Sequence, residues 1–331
     1  MYLLRKKELK KALVLWYSMN LNYGDYLIFQ TVKKHLELWG FSVEAMDVGL
    51  SYRAIAKNAR ACDVLWFAGG GIIERGIPDI IENFPDFHKR SKRIIYGVTG
   101  LSIGAFDYSE YREEIAYWIR NADFFYSRDS FTTLELNRIS ESDKVIDGVD
   151  VVFANDSFKR CSVKDDGRVG INLRELPYTD LSGEFRYIDW ECSFKKTFSK
   201  CMVGIPDQHD CLKKMDIQFD TDYQPDSVTK LLQSVSFTVS MRFHVILVAA
   251  VMGKVSIPIV YCPKVSRLAE QLGIDELILG IHDYKKLGKI VARYLANENK
   301  YKTIMSNNVE ELQQRARMMF QEVGCKLKGD I

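Results

Sequence analysis

At 331 residues the chain exceeds what one comfortable core organises, so two domains of roughly 150 residues each are the default. Its 46 basic residues against 44 acidic ones leave a net charge of +2, which excludes the broad basic face that nucleic acid needs. With 47% hydrophobic and 27% charged residues, the composition is that of an ordinary folded protein and not of a long disordered one.

The basic cluster Arg5, Lys6, Lys7, Lys10 and Lys11 precedes the first apolar run and reads as a solvated N-terminal arm, with weak attraction to anionic lipid as the lesser alternative. A strand-like "KALVLWY" follows, then a helix-like "DYLIFQTVKKHLELWG" closed by Gly40, then "FSVEAMDV". The alternation continues through "DVLWFAGGG", "KRIIYGVTG", "YREEIAYWIRNA", "DFFYSR" and "SFTTLELNR". Such βαβ alternation predicts a parallel sheet with helices on both faces. From Lys144 to Asp166 the pattern gives way to a polar, Asp-rich stretch, which sets the expected division into residues 1–155 and 165–331. Beyond it come the strands "RVGINLRE", "MVGIP", "FTVS" and "SIPIVYC" with helices "WECSFKKTFSKC", "HDCLKKM", "SVTKLLQS", "RFHVILVAAVMG" and "VSRLAEQLG", and a mostly helical tail from Asp283. The fold class expected is α/β, two Rossmann-like domains facing a cleft.

No apolar run approaches the roughly 18 residues of a spanning helix, and no charged-then-apolar signal sequence opens the chain. The seven cysteines are scattered without a CxxC pair and read as reduced thiols. A cytoplasmic protein is expected, at most peripheral at the inner face of a membrane.

Open α/β sheets bind ligands at the carboxyl ends of their strands, so polar residues there carry the functional reading. In the first half these are Asn22 and Asp25 after strand one, Gly69, Gly70 and Gly71 after "DVLWFA", and Arg128 after "DFFYS"; in the second half, Asn172 and Arg174, then Asp207, His209 and Asp210. The glycine run lets a backbone approach a ligand and is expected to open a helix whose N–H groups favour an anion, or it serves only as a tight turn. Asp25 is in place to cap the following helix. Arg242 and His244 would point apart in a regular helix, but at a strand-to-helix turn both can face one ligand. By spacing alone the simpler alternative is a His244 hydrogen-bonded in the core and an Arg242 reaching out to solvent. Asp220-Thr221-Asp222 imitates a metal-binding DxD but sits in a polar, turn-prone stretch, and no P-loop, zincin or hydrolase-elbow motif occurs.

Taken in order, "NYGD", "DVLWFAGGGIIE", "YSRDSFTTLEL", "DGVDVVF", "VGINLRE", "VGIPDQHDCLKKM" and "SVSFTVSMRFHVILVAAVMGKVSIPIVYCPKVSRLAEQLG" resemble the polysaccharide pyruvyltransferase family. The resemblance implies a two-domain, glycosyltransferase-B-like fold that uses phosphoenolpyruvate to place a pyruvate ketal on two hydroxyls of a sugar, on a surface polysaccharide or its precursor. It makes His244 the expected acid, with Arg242 and Arg128 beside it in catalysis. Guanidinium and ammonium groups suit the donor's phosphate and carboxylate, so Arg242, Arg128, Lys264, Asn172 and Arg174 are the donor-binding candidates. The acceptor, a sugar or lipid-linked oligosaccharide, falls to Asn22, Asp25, Gly69, Gly70 and Gly71, with Asp25 a candidate base. Neither cofactor nor metal is implied, phosphoenolpyruvate serving as co-substrate. By this resemblance Phe243 stands where relatives usually have Leu, and Cys262 where an Asp is common before the Pro-Lys. A nucleotide-sugar-dependent glycosyltransferase and a non-catalytic sugar-binding protein are the competing readings.

Overall fold

The structure, a computed structural model, describes residues 10–18, 22–74, 76–91, 94–104, 107–158, 166–174, 176, 187–199, 201–206, 215, 217–219 and 223–329. The helix expected at "HDCLKKM" and the residues Asp207, His209, Asp210 and Asp220 to Asp222 lie outside this set, apart from Met215. So do Arg5, Lys6 and Lys7, while Lys10 and Lys11 belong to the first strand and not to an arm.

The first unit holds a five-stranded sheet in the order β2-β1-β3-β4-β5, every neighbouring pair parallel. Its strands are β1 (Lys10–Trp16), β2 (Phe41–Asp47), β3 (Val64–Gly70), β4 (Ile95–Leu101) and β5 (Phe124–Ser127). A strand covered on both faces needs apolar residues at every position, and "VLWFAGG" of β3 is buried throughout. Leu65 and Phe67 join one core with Ile80, Phe84 and Trp118. Trp66 points the other way, stacking on Phe320 with ring centroids 6.2 Å apart and donating from Nε1 to Thr99 Oγ1 at 3.1 Å. β2, at an edge, alternates more weakly and carries the exposed Glu44 and Ala45.

Helix α1 (Tyr23–Leu38) follows β1, and α2 (Tyr52–Ala59) follows β2. The helix expected directly after Gly71 is absent. Ile72 and Ile73 are fully buried in a turn, and the chain next becomes helical in the short α3 (Asp79–Glu82) and α4 (Phe84–Arg90). Two apolar side chains driven into the core outcompete an early helical turn. α5 (Arg112–Asn121) and α6 (Ser130–Ser140) complete the alternation, and α6 is capped by Asp129, whose Oδ1 accepts from Thr132 N at 2.9 Å.

The second unit repeats the plan with a parallel sheet in the order β10-β9-β8-β6-β7. These strands are β6 (Val169–Asn172), β7 (Met202–Gly204), β8 (Phe237–Ser240), β9 (Ser256–Val260) and the two-residue β10 (Leu279–Gly280). Helices α7 (Tyr187–Phe198), α8 (Pro225–Ser234), α9 (Phe243–Val251), α10 (Pro263–Leu272) and α11 (Leu287–Ala296) are interleaved with them, and the 32-residue α12 (Glu298–Gly329) ends the described chain.

The units divide the chain as Met1–Leu21, Asp25–Ala154 and Gln314–Ile331 for the first, and Asn22–Gly24 with Asn155–Gln313 for the second. Two features depart from the sequence-based division. The end of α12 joins the first unit because its buried stripe, Ala316, Met319, Phe320 and Val323, finds an aromatic seat there. Phe320 stacks on His35 at 3.7 Å, and Tyr126 donates its hydroxyl proton to Glu322 Oε2 at 2.6 Å. The three residues Asn22–Gly24 pack with the second unit, although α1 otherwise belongs to the first.

Candidate active site

In each sheet the chain runs first to one side and then to the other, and the strand order reverses between β1 and β3 in the first unit and between β6 and β8 in the second. Ligands of open α/β sheets bind beside such reversals, at the carboxyl ends of the strands.

In the second unit that position is built on Asn172, the last residue of β6 and fully buried. Its Nδ2 donates to Ile205 O at 3.1 Å, its Oδ1 accepts from Ser240 Oγ at 3.1 Å, and its backbone oxygen accepts from Met241 N at 2.9 Å. Asn172 thus braces the ends of β6, β7 and β8 together. Ser240, which sequence reasoning passed over, also accepts from Arg242 N at 3.0 Å and so fixes the turn out of β8.

Arg242 is the N-cap of α9, with extended backbone at φ −86 and ψ 125. His244 is only the second helical residue. The pair therefore occupies the strand-to-helix turn at which two side chains two apart need not diverge. From Phe237 to Met252 every residue is buried except these two, which are half-buried. Arg242 and His244 thus interrupt a run whose other side chains all lie in the core, although the Nε2 atom of His244 is itself buried.

Arg174 follows β6, 6% exposed, with Nη1 donating to Tyr261 Oη at 3.2 Å and its guanidinium 5.3 Å from the centre of that ring. Lys264 is half-buried in the first turn of α10, after β9. The loops leaving β9, β8 and β6, neighbours in the sheet, thus carry Lys264, Arg242 with His244, and Arg174. Cys262 is the N-cap of α10, with no side-chain cap bond. A carboxylate at this position would cap the helix where a thiol does not. Cys262→Asp is expected to stabilise the protein by about 1 kcal/mol in urea denaturation; an unchanged or lower midpoint would count against the capping account.

The segment Asn22–Gly24 packs against the start of α9 and against α8. Asn22 Oδ1 accepts from Gly24 N at 2.8 Å and so caps α1, and Tyr23 Oη is 2.9 Å from Thr229 Oγ1. Burial pushes the Tyr23 phenol far above its ordinary range, so it stays protonated. Gly24 lies directly against the His244 ring: a Cβ on it would stand 1.9 Å from Nδ1 and 2.5 Å from Cε1 and Cγ.

In the first unit the glycine run has packing reasons of its own. Gly69 (φ +20) lies so close to β4 that a Cβ would be 2.1 Å from Thr99 O, and Gly70 takes φ +70 beside the Asp25 carboxylate. Asp25 and the run therefore do come together. Arg128, 3% exposed, belongs to this unit, whereas Arg242, Arg174 and Lys264 belong to the second. Its Nη2 donates to Ser102 Oγ, and its guanidinium nitrogens lie 3.5 Å from Asp150 Oδ2 and 3.7 Å from Glu74 Oε1. Ser102 Oγ in turn donates to Glu74 Oε1 at 2.8 Å. Burial, with Glu74 adding to it, pushes the nearby Tyr108 phenol up to about 12, and it donates to Ile73 O at 3.1 Å. No group of three His, Cys, Asp or Glu among the described residues is placed to hold a metal ion, and no helix among them is long and apolar enough to cross a membrane.

Two parallel α/β units with polar residues at both strand-order reversals define a glycosyltransferase-B-type fold. Solved structures agree. Anabaena HepE in complex with UDP-glucose is 14% identical, with a TM-score of 0.58 over 96% of this chain and 99% of that one. The UDP-GlcNAc 2-epimerase from Methanocaldococcus jannaschii is 12% identical, with a TM-score of 0.57 over 86% of this chain and 92% of that one. An alpha-glucosyltransferase in complex with UDP and a 13-mer DNA is 12% identical, with a TM-score of 0.56 over 97% and 100%. At such identities the likeness is one of fold. No curated protein sequence matches the chain significantly. The family model for polysaccharide pyruvyl transferase matches residues 22–263, and the chain belongs to that family of transferases.

Proposed function

We propose that this transferase moves pyruvate from phosphoenolpyruvate onto two hydroxyls of a sugar residue, making a pyruvate ketal on a polysaccharide or its precursor. The observation that carries the reading is the exclusion of Arg242 and His244 alone from an otherwise buried run, with Arg174 and Lys264 on the loops of the adjoining strands. Two guanidinium groups and an ammonium suit a small ligand bearing both phosphate and carboxylate.

In this reaction His244 gives its proton to C3 of the donor, the double-bond electrons forming the new C–H bond, and a sugar hydroxyl oxygen bonds to C2 as its own proton departs. The C2–O bond to phosphate breaks with its electron pair leaving on phosphate, and the second hydroxyl closes the ketal. Of the two hydroxyl protons, one restores His244 and the other leaves on phosphate, so the sum requires no oxidant or reductant. The donor is read onto the second unit. The acceptor is read onto the first, at Asp25 and Gly69 to Gly71.

The test is a thermal-shift titration with phosphoenolpyruvate on wild type and on Arg242→Ala. A ligand at 100 times its dissociation constant stabilises by about 2.7 kcal/mol, so wild type should show a saturable shift that the variant loses. Stabilisation by UDP-glucose with none by phosphoenolpyruvate, in the presence and absence of acceptor glycan, would replace this reading with nucleotide-sugar transfer.

A further inference from the structure

Glycine at position 24 has no backbone reason to be there. It is the second residue of a 16-residue helix and does not take a positive φ, so alanine fits the local conformation and favours the helix. Space is the reason instead, because any Cβ at this position would overlap the imidazole of His244. The ring has little room to step aside, since it packs edge-on against Phe243 with ring centroids 5.0 Å apart, its Nε2 is buried, and it pivots on only two side-chain torsions.

We infer that Gly24 is a positioning residue for His244: its bare Cα seats the imidazole and fixes where Nε2, a buried atom on the far side of the ring, is held. The three ring atoms nearest the missing Cβ are Nδ1, Cε1 and Cγ, so Nε2 belongs to the side of the ring turned from Gly24. The seat is itself held on both sides. Asn22 caps the Gly24 N–H at 2.8 Å, and the Tyr23 hydroxyl is anchored 2.9 Å from Thr229 Oγ1 on α8. Each residue of "NYG" then serves the geometry of His244, and Asn22 moves from acceptor contact to support of the acid. That a one-carbon intrusion matters follows from the tolerance of proton transfer, which needs donor and acceptor within hydrogen-bond reach.

The inference rests on the reading of His244 as the acid, and its test separates the two. Imidazole nitrogen–proton correlation spectra of wild type and Gly24→Ala, with the His244 signals assigned from their loss in His244→Gln, report the seat without any substrate. The His244 signals are expected to move in Gly24→Ala. Turnover with phosphoenolpyruvate and acceptor glycan is expected to fall about 10²-fold or more, with the donor-induced thermal shift retained. The double variant Gly24→Ala/His244→Gln should be no slower than His244→Gln alone, because a displaced acid and a missing acid are the same loss. Tyr23→Phe, which adds no bulk, should lower turnover by up to about tenfold by loosening the seat, and decides the matter should Gly24→Ala not fold. Unmoved ring signals, undiminished turnover, or losses that multiply in the double variant would each overturn the inference. A wild type whose ring signals respond to Gly24→Ala but which makes no ketal from phosphoenolpyruvate would leave the seat standing and remove the proposed reaction.

Discussion

His244→Gln should lower pyruvyl transfer by about 10²–10⁴-fold, the range a positioned acid commands, while leaving the phosphoenolpyruvate-induced thermal shift near its wild-type size. The two halves of this result come from different parts of one turn. Glutamine keeps a polar side chain of similar reach in the first turn of α9 but has no proton to give to carbon. Arg242, Arg174 and Lys264, the proposed donor contacts, remain in place. Because His244 is half-buried and glutamine nearly matches its volume, its replacement should cost about 1 kcal/mol of folding stability, a typical point-mutant change. A rate measured at saturating donor therefore reports chemistry alone. Wild-type turnover in the variant would mean that another group protonates the methylene carbon, and the assignment of the acid would have to move.

The parts of the molecule legible in the sequence are those set by local pattern. Strands buried on both faces read as largely apolar runs, so β1, β3 and β9 stand out, and the helices between them follow from period and from stops such as Gly40 (φ +89) and Gly273 (φ +69). The placement of Arg242 and His244 at a strand-to-helix turn is legible for the same reason, since a strand followed at once by a helix locates the turn. What the pattern cannot carry is the identity of a partner distant in sequence. The stripe on α12 announces burial, but nothing local says that its end packs against Trp66 and His35 of the first unit. Gly24 reads as one more turn glycine until the ring it makes room for is placed beside it. Glu74 and Asp150 carry no local sign of a role, because only the folded chain brings them to Arg128.

That last case carries the second large effect. Arg128→Met should destabilise the protein by about 3–5 kcal/mol in urea denaturation, the cost of stranding buried charge when one partner of an ion pair is removed. Asp150 is 1% exposed and the Glu74 side chain 15%, so neither carboxylate can turn to water as a surface residue would. Methionine fills much of the space left by the arginine stem, which makes the charge the main quantity lost. If that is so, Arg128→Met/Asp150→Asn should regain at least half of the loss by deleting one of the two stranded charges, although the double variant departs further from the native sequence. The result also decides what Arg128 is for. A guanidinium that mainly grips phosphoenolpyruvate would, on removal, leave the urea midpoint where it was and abolish the donor's thermal shift. One already committed to Glu74, Ser102 and Asp150 would do the reverse, and the 3.5 Å and 3.7 Å ion pairs in the first unit favour that second outcome.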